Sequence, residues 1–393
     1  MNFQQTYFRI KPLEFDLFCG MDVDKKSISI TFVSHDGFVR SMKIAYDSAN
    51  LIQYVGRRFP GQRIAFIYEA GPTGFGLYDD LVGRGYVCLV IAPTQMSRSA
   101  AERVKTNRLD SRKLAEKLRS GDARGIHVPN RLYRDLRHLV HLREVFVRSQ
   151  QAMKLRIKML LILEGIGFPA ANSRERWSRQ SVSNLYKLET GSAIRFNLDH
   201  YLATLQFTAD ELKNIHAEML RFYKEEPEIS RCIDLLCTIP GIGKVVAVYL
   251  AARIGDWRDL KSSRQIAALL GMIPVENSTG DRIRKGSISR MGDAITRSKL
   301  IETAWTSIRH DPELMEFYQR VKARNPAPIA GRKAIVAVAR KLTARIYAVL
   351  KYQRRYVVRE IVKVSASGAD PKLNSTSETL QKVRAGKRNP RGF

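Results

Sequence analysis

Residues 17–91 switch between a period of two and a period of 3.6. Residues 17–22 are a short apolar run ending on a carboxylate, Asp22. Residues 27–33 alternate as a half-buried strand does, His35-Asp36-Gly37 predicts a hairpin turn, and 38–45 return as a third strand. A helical period covers 48–59, a fourth strand over 63–69 ends on Glu69, a helix covers 74–84, and a fifth strand covers 86–91. An amphipathic helix over 109–120 carries Asp110 and closes with Gly121. Three successive strands followed by alternating helices and strands predict an α/β mixed sheet with helices on its faces, the ribonuclease-H-like layout. In that order the first and fourth strands are neighbours. Asp22 and Glu69 then meet at one end of the sheet, with the helix of Asp110 packed across them.

Beyond residue 130 the period is helical. Residues 132–165 are apolar on one stripe and basic on the other, through Arg134, Arg137, Arg143, Arg148, Lys154, Arg156 and Lys158. They predict an antiparallel hairpin or coiled coil with 208–225. A charge-rich helix is usually a solvated face, but one sign of charge favours a nucleic-acid contact or a subunit arm. Pro227 breaks the pattern, and further helices are predicted over 294–309 and 332–352. The expected division is an irregular leader over 1–16, a sheet domain over 17–129 and a helical arm over 130–228. An all-α domain over 229–352 and a basic, disordered tail over 353–393 complete it.

Charge narrows the function. The 393 residues hold 67 Lys and Arg against 38 Asp and Glu, a formal net charge of +29. That excess predicts salt-sensitive binding to polyanions, DNA or RNA before anionic membrane. No apolar run is long enough to span a bilayer, and no signal peptide is read at the start. Four cysteines in apolar settings suit neither a disulfide scaffold nor a zinc site, so a reducing cytoplasm is expected.

Residues 237–292 hold the densest chemistry. Ile239-Pro240-Gly241-Ile242-Gly243-Lys244 lacks the glycine spacing and the Ser or Thr of a P-loop. It reads as a turn between a helix ending near Thr238 and one beginning near Lys244, the look of a helix-hairpin-helix that grips a phosphate backbone. The bland alternative is a plain helix connector. Pro274 is expected to stop the next helix, which ends at Leu269-Leu270-Gly271-Met272. Asn277-Ser278-Thr279-Gly280 follows as a polar turn able to present a hydroxyl. Arg282, Arg284, Lys285 and Arg290 would surround it with phosphate donors. Alone, a Ser-Thr-Gly turn is nearly always just a turn.

Asp22, Glu69 and Asp110 are each more often turn or cap residues than ligands. Clustered, they would repel unless cations neutralised them, and Mg²⁺ suits an all-oxygen site. Two such ions, roughly 4 Å apart, would support a phosphodiester displacement.

Gly20-Met21-Asp22-Val23, Tyr68-Glu69-Ala70-Gly71-Pro72-Thr73-Gly74 and the run from Lys105 through Asn107 and Asp110 to Ala115 resemble the three acidic motifs of one insertion-sequence family. Its members are the DEDD recombinases related to the Piv/MooV invertases, some guided by a bridge RNA. The Ile-Pro-Gly-Ile-Gly turn and Asn277 through Gly292 resemble that family's C-terminal transposase domain. The resemblance implies a RuvC-like domain carrying metal-binding acids and a C-terminal serine that attacks DNA. It also implies a 5′-phosphoserine intermediate, a dimer assembling to a tetramer, double-stranded DNA substrates, and a bacterial or archaeal, nucleoid-associated setting. Ser278 matches the nucleophile when Ser289-Arg290-Met291-Gly292 anchors the alignment; counting from Pro274 gives Thr279. The family pattern ends in two aspartates three apart, and here the first is Asn107. That departure predicts weaker ion affinity, as in an inactivated form. The rival expectations are a metal-dependent junction nuclease, in which Ser278 is only a turn, and a non-catalytic nucleic-acid scaffold.

Overall fold

Five strands form one sheet: Leu17–Val23 (β1), Ser27–Ser34 (β2), Gly37–Ala45 (β3), Ile64–Glu69 (β4) and Val87–Ile91 (β5), in the order β3-β2-β1-β4-β5. The computed structural model describes residues 9–95, 107–170, 177–276 and 285–358, and the backbone alone at Asn107 and Lys285. β1 runs antiparallel to β2 and parallel to β4, and β5 extends the parallel side. This mixed sheet is consistent with the ribonuclease-H-like layout expected from the order of strands.

Both faces of the sheet are covered, which is why β1 and β4 read as nearly unbroken apolar runs. On one face Cys19, Met21, Phe66 and Tyr68 pack against Leu51 and Val55 of helix Ser48–Arg58 (α1) and Leu77 and Leu81 of Gly76–Gly83 (α2). On the other, Phe18, Ala65 and Ile67 pack against Leu114 and Leu118 of Asn107–Arg119 (α3). Ile10 joins that second core, so part of the expected leader is packed structure.

Gly20 sets how closely α3 approaches. A Cβ there would stand 2.0 Å from the Ser111 carbonyl oxygen and 2.4 Å from the Ala115 nitrogen. Helix backbone therefore rests on strand backbone, a common reason for glycine inside a strand. Gly20→Ala is expected to lower the urea midpoint, at a cost of about 3 kcal/mol, because neither backbone can step aside. Beside the contact, Thr31 Oγ1 lies 2.8 Å from both Ser41 Oγ and Ser111 Oγ, and Ser111 Oγ donates to the Arg108 carbonyl at 3.0 Å. These hydroxyls satisfy one another in a buried layer and fix the rotation of α3.

Two long helices follow, Arg131–Leu163 (α4) and Ser192–Glu225 (α6), with the short Arg179–Tyr186 (α5) between them. Met153, Ile157 and Leu161 pack with Leu198, Leu202 and Leu205, while Tyr133 and Leu136 share a core with Ile215 and Met219. The helices are therefore antiparallel. The partner of α4 is longer than the predicted 208–225, because Leu198, Leu202 and Leu205 keep the apolar stripe going by helical steps.

The C-terminal half is a helical bundle: Pro227–Cys237 (α7), Lys244–Ile254 (α8), Ser263–Leu269 (α9), Ala294–His310 (α10), Pro312–Ala323 (α11) and Ala330–Tyr352 (α12). Ala334, Ile335, Val338, Ala339, Leu342 and Ile346 make α12 its central helix. A two-stranded hairpin, Pro274–Glu276 (β6) with Lys285–Ile288 (β7), interrupts the bundle. Asp311, capping α11, is bonded by Arg345 and by Tyr356 Oη at 2.6 Å, and the Tyr356 backbone N–H donates to Thr238 Oγ1 at 2.9 Å. Residues 353–358 thus fold onto the bundle rather than belonging to the expected tail. The rest of that tail, from residue 359 on, lies outside the described residues.

Candidate active site and nucleic-acid interface

Met21 pairs with Tyr68 across two parallel strands, so the residues that follow, Asp22 and Glu69, leave the sheet side by side. Alternation turns both toward α3, the face on which Gly20 and Ile67 lie two residues earlier. The direction of α3 decides what meets them. Arg119, at its carboxyl end, donates to the His35 carbonyl at 2.9 Å, at the turn beyond the amino end of β1. The helix therefore runs antiparallel to β1, and its amino end, with Asn107 and Asp110, overlies the edge where Asp22 and Glu69 emerge. Asn107 and Asp110 both belong to the first turn of α3. Glu69 is exposed; Asp22 and Asp110 are half-buried.

Oxygen donors at one sheet edge suit a hard divalent cation. Even so, among the described residues no three His, Cys, Asp or Glu side chains converge as metal ligands do. The donor chemistry fits such an ion at the Asp22–Glu69 pair, but a closed cage of three carboxylates is not formed.

The second region sits in the bundle. Gly241 adopts φ +89°, and a Cβ there would meet Ser307 Oγ at 2.8 Å and the Thr303 carbonyl at 2.9 Å. Its close approach is thus to α10 of the same chain, not to a phosphate. Ser307 Oγ also donates to the Pro240 carbonyl at 2.7 Å. Gly243 has φ −86°, and the space beside it is open. Gly243 and Lys244 are exposed at the amino end of α8, and Lys244 Nζ lies over the Tyr223 ring, 5.7 Å from its centre.

Ser278, Thr279, Arg282 and Arg284 lie outside the described residues, between β6 and β7. The base of that loop is well defined. α9 ends at Leu269, Gly271 turns the chain at φ +63°, and Pro274 opens β6 rather than ending the helix. A Cβ at Gly292 would stand 2.5 Å from the Gly271 nitrogen, so the Ser289-Arg290-Met291-Gly292 segment lies directly on this turn. Arg290, exposed at φ +56°, accepts from Arg297 Nη1 at 3.4 Å through its carbonyl. Lys285 opens β7 opposite Glu276. Arg297 and Ser307 mark where the hairpin base and the glycine turn meet α10, so about 15 Å of helix separates the two elements.

The hydroxyl layer under α3 was not read from the sequence as part of a site. Its available signal was Gly20 inside a strand two residues before a strand-end acid.

The family model described as "Transposase IS116/IS110/IS902 family" matches residues 233–319, and a second, described as "Transposase" and of the DEDD IS110 type, matches 19–164. The chain belongs to the IS110-type transposases. The two matches together take in more than half of the chain, with the sheet edge in one and the glycine turn and β6–β7 hairpin in the other. A Sinorhizobium fredii protein named as a transposase is 28% identical over 76% of this chain and 73% of its own length. The transposase for insertion sequence element IS1111A of Coxiella burnetii is 25% identical over 71% of this chain and 75% of its own. The pilin gene-inverting protein of Moraxella bovis is 28% identical over 47% of this chain and 53% of its own. The resemblance drawn from the acidic motifs is thereby shown. A transposase of this family is an enzyme of DNA recombination acting on DNA. Its DEDD domain implies dependence on a divalent metal. No helix among the described residues is long and apolar enough to cross a membrane.

Proposed function

We propose that this IS110-type transposase cuts and rejoins DNA strands through a covalent 5′-phosphoserine made by Ser278. The observation that supports this reading is the division of parts between two matched regions. Paired carboxylates stand at a sheet edge in one, and a hydroxyl-bearing loop springs from a rigid hairpin base in the other. Ser278 Oγ gives up its proton and bonds to phosphorus. The P–O3′ bond breaks, and the 3′ oxygen leaves as a hydroxyl. The ester conserves the phosphodiester's energy, so a new 3′-hydroxyl can displace the serine without ATP. Asp22, Glu69 and Asp110, with Asn107 as a neutral oxygen, would hold Mg²⁺, which when bound stabilises charge on the phosphate oxygens. Arg282, Arg284 and Lys285 balance the negative charge that develops on the non-bridging phosphate oxygens.

Gly243, Lys244 and Arg290 grip strand phosphates near the reaction, and the turn at 239–244 serves as a helix-hairpin-helix whose Gly241 packs it to α10. The α4–α6 hairpin serves as the subunit arm of a dimer that pairs into a tetramer, since strand exchange needs several active sites at once. Base reading passes to a guide RNA, and the chain works in the cytoplasm at the nucleoid. The test is to incubate the full chain with RNA recovered from its host and a matching duplex, then look for protein-linked DNA on a denaturing gel. Hydrolysed strands without linkage would instead identify a metal-dependent nuclease.

A second reading has its own observation. Asn107 and the lack of a converging acid trio among the described residues favour a nucleic-acid-binding form that does not cleave.

A further inference from the structure

Where the chain leaves the sheet and enters α4, a cleft of about 570 Å³ opens against the C-terminal bundle. His127 and Pro129 line it from one side; Ile254, Leu260 and Leu269 form an apolar wall on the other. Arg137 of α4 and Arg253 of α8 also line it, as do Met291 and Gly292 at the foot of the β6–β7 hairpin.

Asp256 and Asp259 also line the cleft, yet neither bonds Arg137 or Arg253. Arg137 Nε donates to the Ala252 carbonyl at 2.6 Å and Nη2 to the Arg253 carbonyl at 3.1 Å, so this guanidinium is satisfied by neutral oxygens. Burial, together with Arg253 beside it, lowers its pKa to about 10. Arg253 Nε is buried with no hydrogen-bond partner among the described residues. The nearby acids are already engaged. Asp256 accepts from Arg258 Nε at 2.7 Å, Asp259 lies 3.6 Å from His127 Nδ1, and Asp293 caps α10 by accepting from the Thr296 N–H at 2.8 Å. Glu144, across α4, lies 3.2 Å from Lys299. Two neighbouring guanidinium groups without a carboxylate between them are costly in a partly buried site unless an anion joins them. Guanidinium geometry suits phosphate oxygens.

We propose that this cleft binds one phosphodiester of a nucleic-acid strand, its phosphate on Arg137 and Arg253 and its nucleoside against Ile254, Leu260 and Leu269. Gly292 places the cleft at the base of the β6–β7 hairpin. The choice of a nucleic-acid strand as the polyanion rests on the transposase reading; the site itself does not require cleavage.

The test uses the full chain, short fluorescein-labelled single strands of DNA and of RNA, and inorganic phosphate as competitor. Arg253→Gln is compared with Arg309→Gln, which removes an equal charge from an exposed position on α10. Arg253→Gln is expected to weaken at least one strand by about tenfold and to lower the salt slope by about one, with Arg309→Gln within about twofold of the parent. Equal losses in the two variants would refute the site and leave a diffuse basic surface. The Arg253→Gln protein should melt no lower than the parent, because a buried N–H without a partner is removed; a lower melting point with unchanged affinity would make Arg253 structural and overturn the proposal.

A second reading needs no variant. Bound strand should protect Arg253 of the parent chain from phenylglyoxal, and an unprotected Arg253 sinks the idea. Protection by the DNA strand, the RNA strand or both names the source, whereas equal protection by inorganic phosphate alone would remove the nucleoside from the proposal. Loss of the Ser278 adduct with Arg253 protection intact would refute the recombinase and spare the cleft. The converse result would refute the cleft alone.

Discussion

Ser278→Ala eliminates protein-linked DNA and leaves binding of duplex and RNA within about twofold of the parent. The methyl group keeps the side chain's size and removes the oxygen proposed to form the ester, so the loss should be complete. Removal of a covalent nucleophile costs on the order of 10⁴-fold or more even where other parts of a site remain. Binding is spared because phosphate grip comes from arginines and lysines spread over a chain of net charge +29, not from one hydroxyl. The measurement is a denaturing gel of labelled duplex, with and without protease, beside a binding titration at fixed salt. Thr279→Ala in parallel separates the two hydroxyls. An adduct that survives in Ser278→Ala but disappears in Thr279→Ala would move the nucleophile by one residue. Survival in both would end the phosphoserine account.

Asn107→Asp is expected to raise metal affinity by about tenfold or more and to reduce the Mg²⁺ needed for half-maximal strand cleavage in proportion. Asn107 begins α3, and α3 presents that end over Asp22 and Glu69. The restored carboxylate adds a full negative charge where an amide offers one neutral oxygen. Calorimetric titration with Mn²⁺ reads the affinity without reference to turnover. Chelation should abolish cleavage by the Asn107→Asp protein while leaving its strand binding unchanged. If neither metal affinity nor cleavage responds to the substitution, the non-catalytic reading is the better one. The readout is not confounded by folding, because the rotation of α3 is set from below by Gly20, Thr31 and Ser111.

The sheet was largely legible because its signals are local. Alternation in 27–33, a His-Asp-Gly turn and apolar runs ending on Asp22 and Glu69 mark strands, and the right-handed connections of a mixed sheet leave few orders open. Of the site, the strand order was enough to expect Asp22 and Glu69 at one end of the sheet with α3 across them, but not the face each uses. That Asp22 and Glu69 share a face with α3 depends on register, which a shift of one residue would reverse. The glycine turn shows the opposite outcome. A helix–turn–helix was readable, but which glycine packs inward depends on α10, some sixty residues later in the chain.

By itself, then, the sequence determined the order of strands and helices, the basic surplus, and the presence of an acidic front region and a hydroxyl-bearing stretch farther on. Periodicity and charge are properties of neighbours along the chain and need no third dimension. Tertiary structure alone decided that α3 lies directly on β1 through Gly20, that Gly241 packs inward against α10 and Gly243 faces open space, and that residues 353–358 are held by Asp311 and Thr238. It alone also placed Arg137 and Arg253 in one cleft with neither bonded to a carboxylate. Those outcomes turn on contacts between residues tens to more than a hundred positions apart, where burial and hydrogen-bond satisfaction choose among arrangements that local pattern leaves equal.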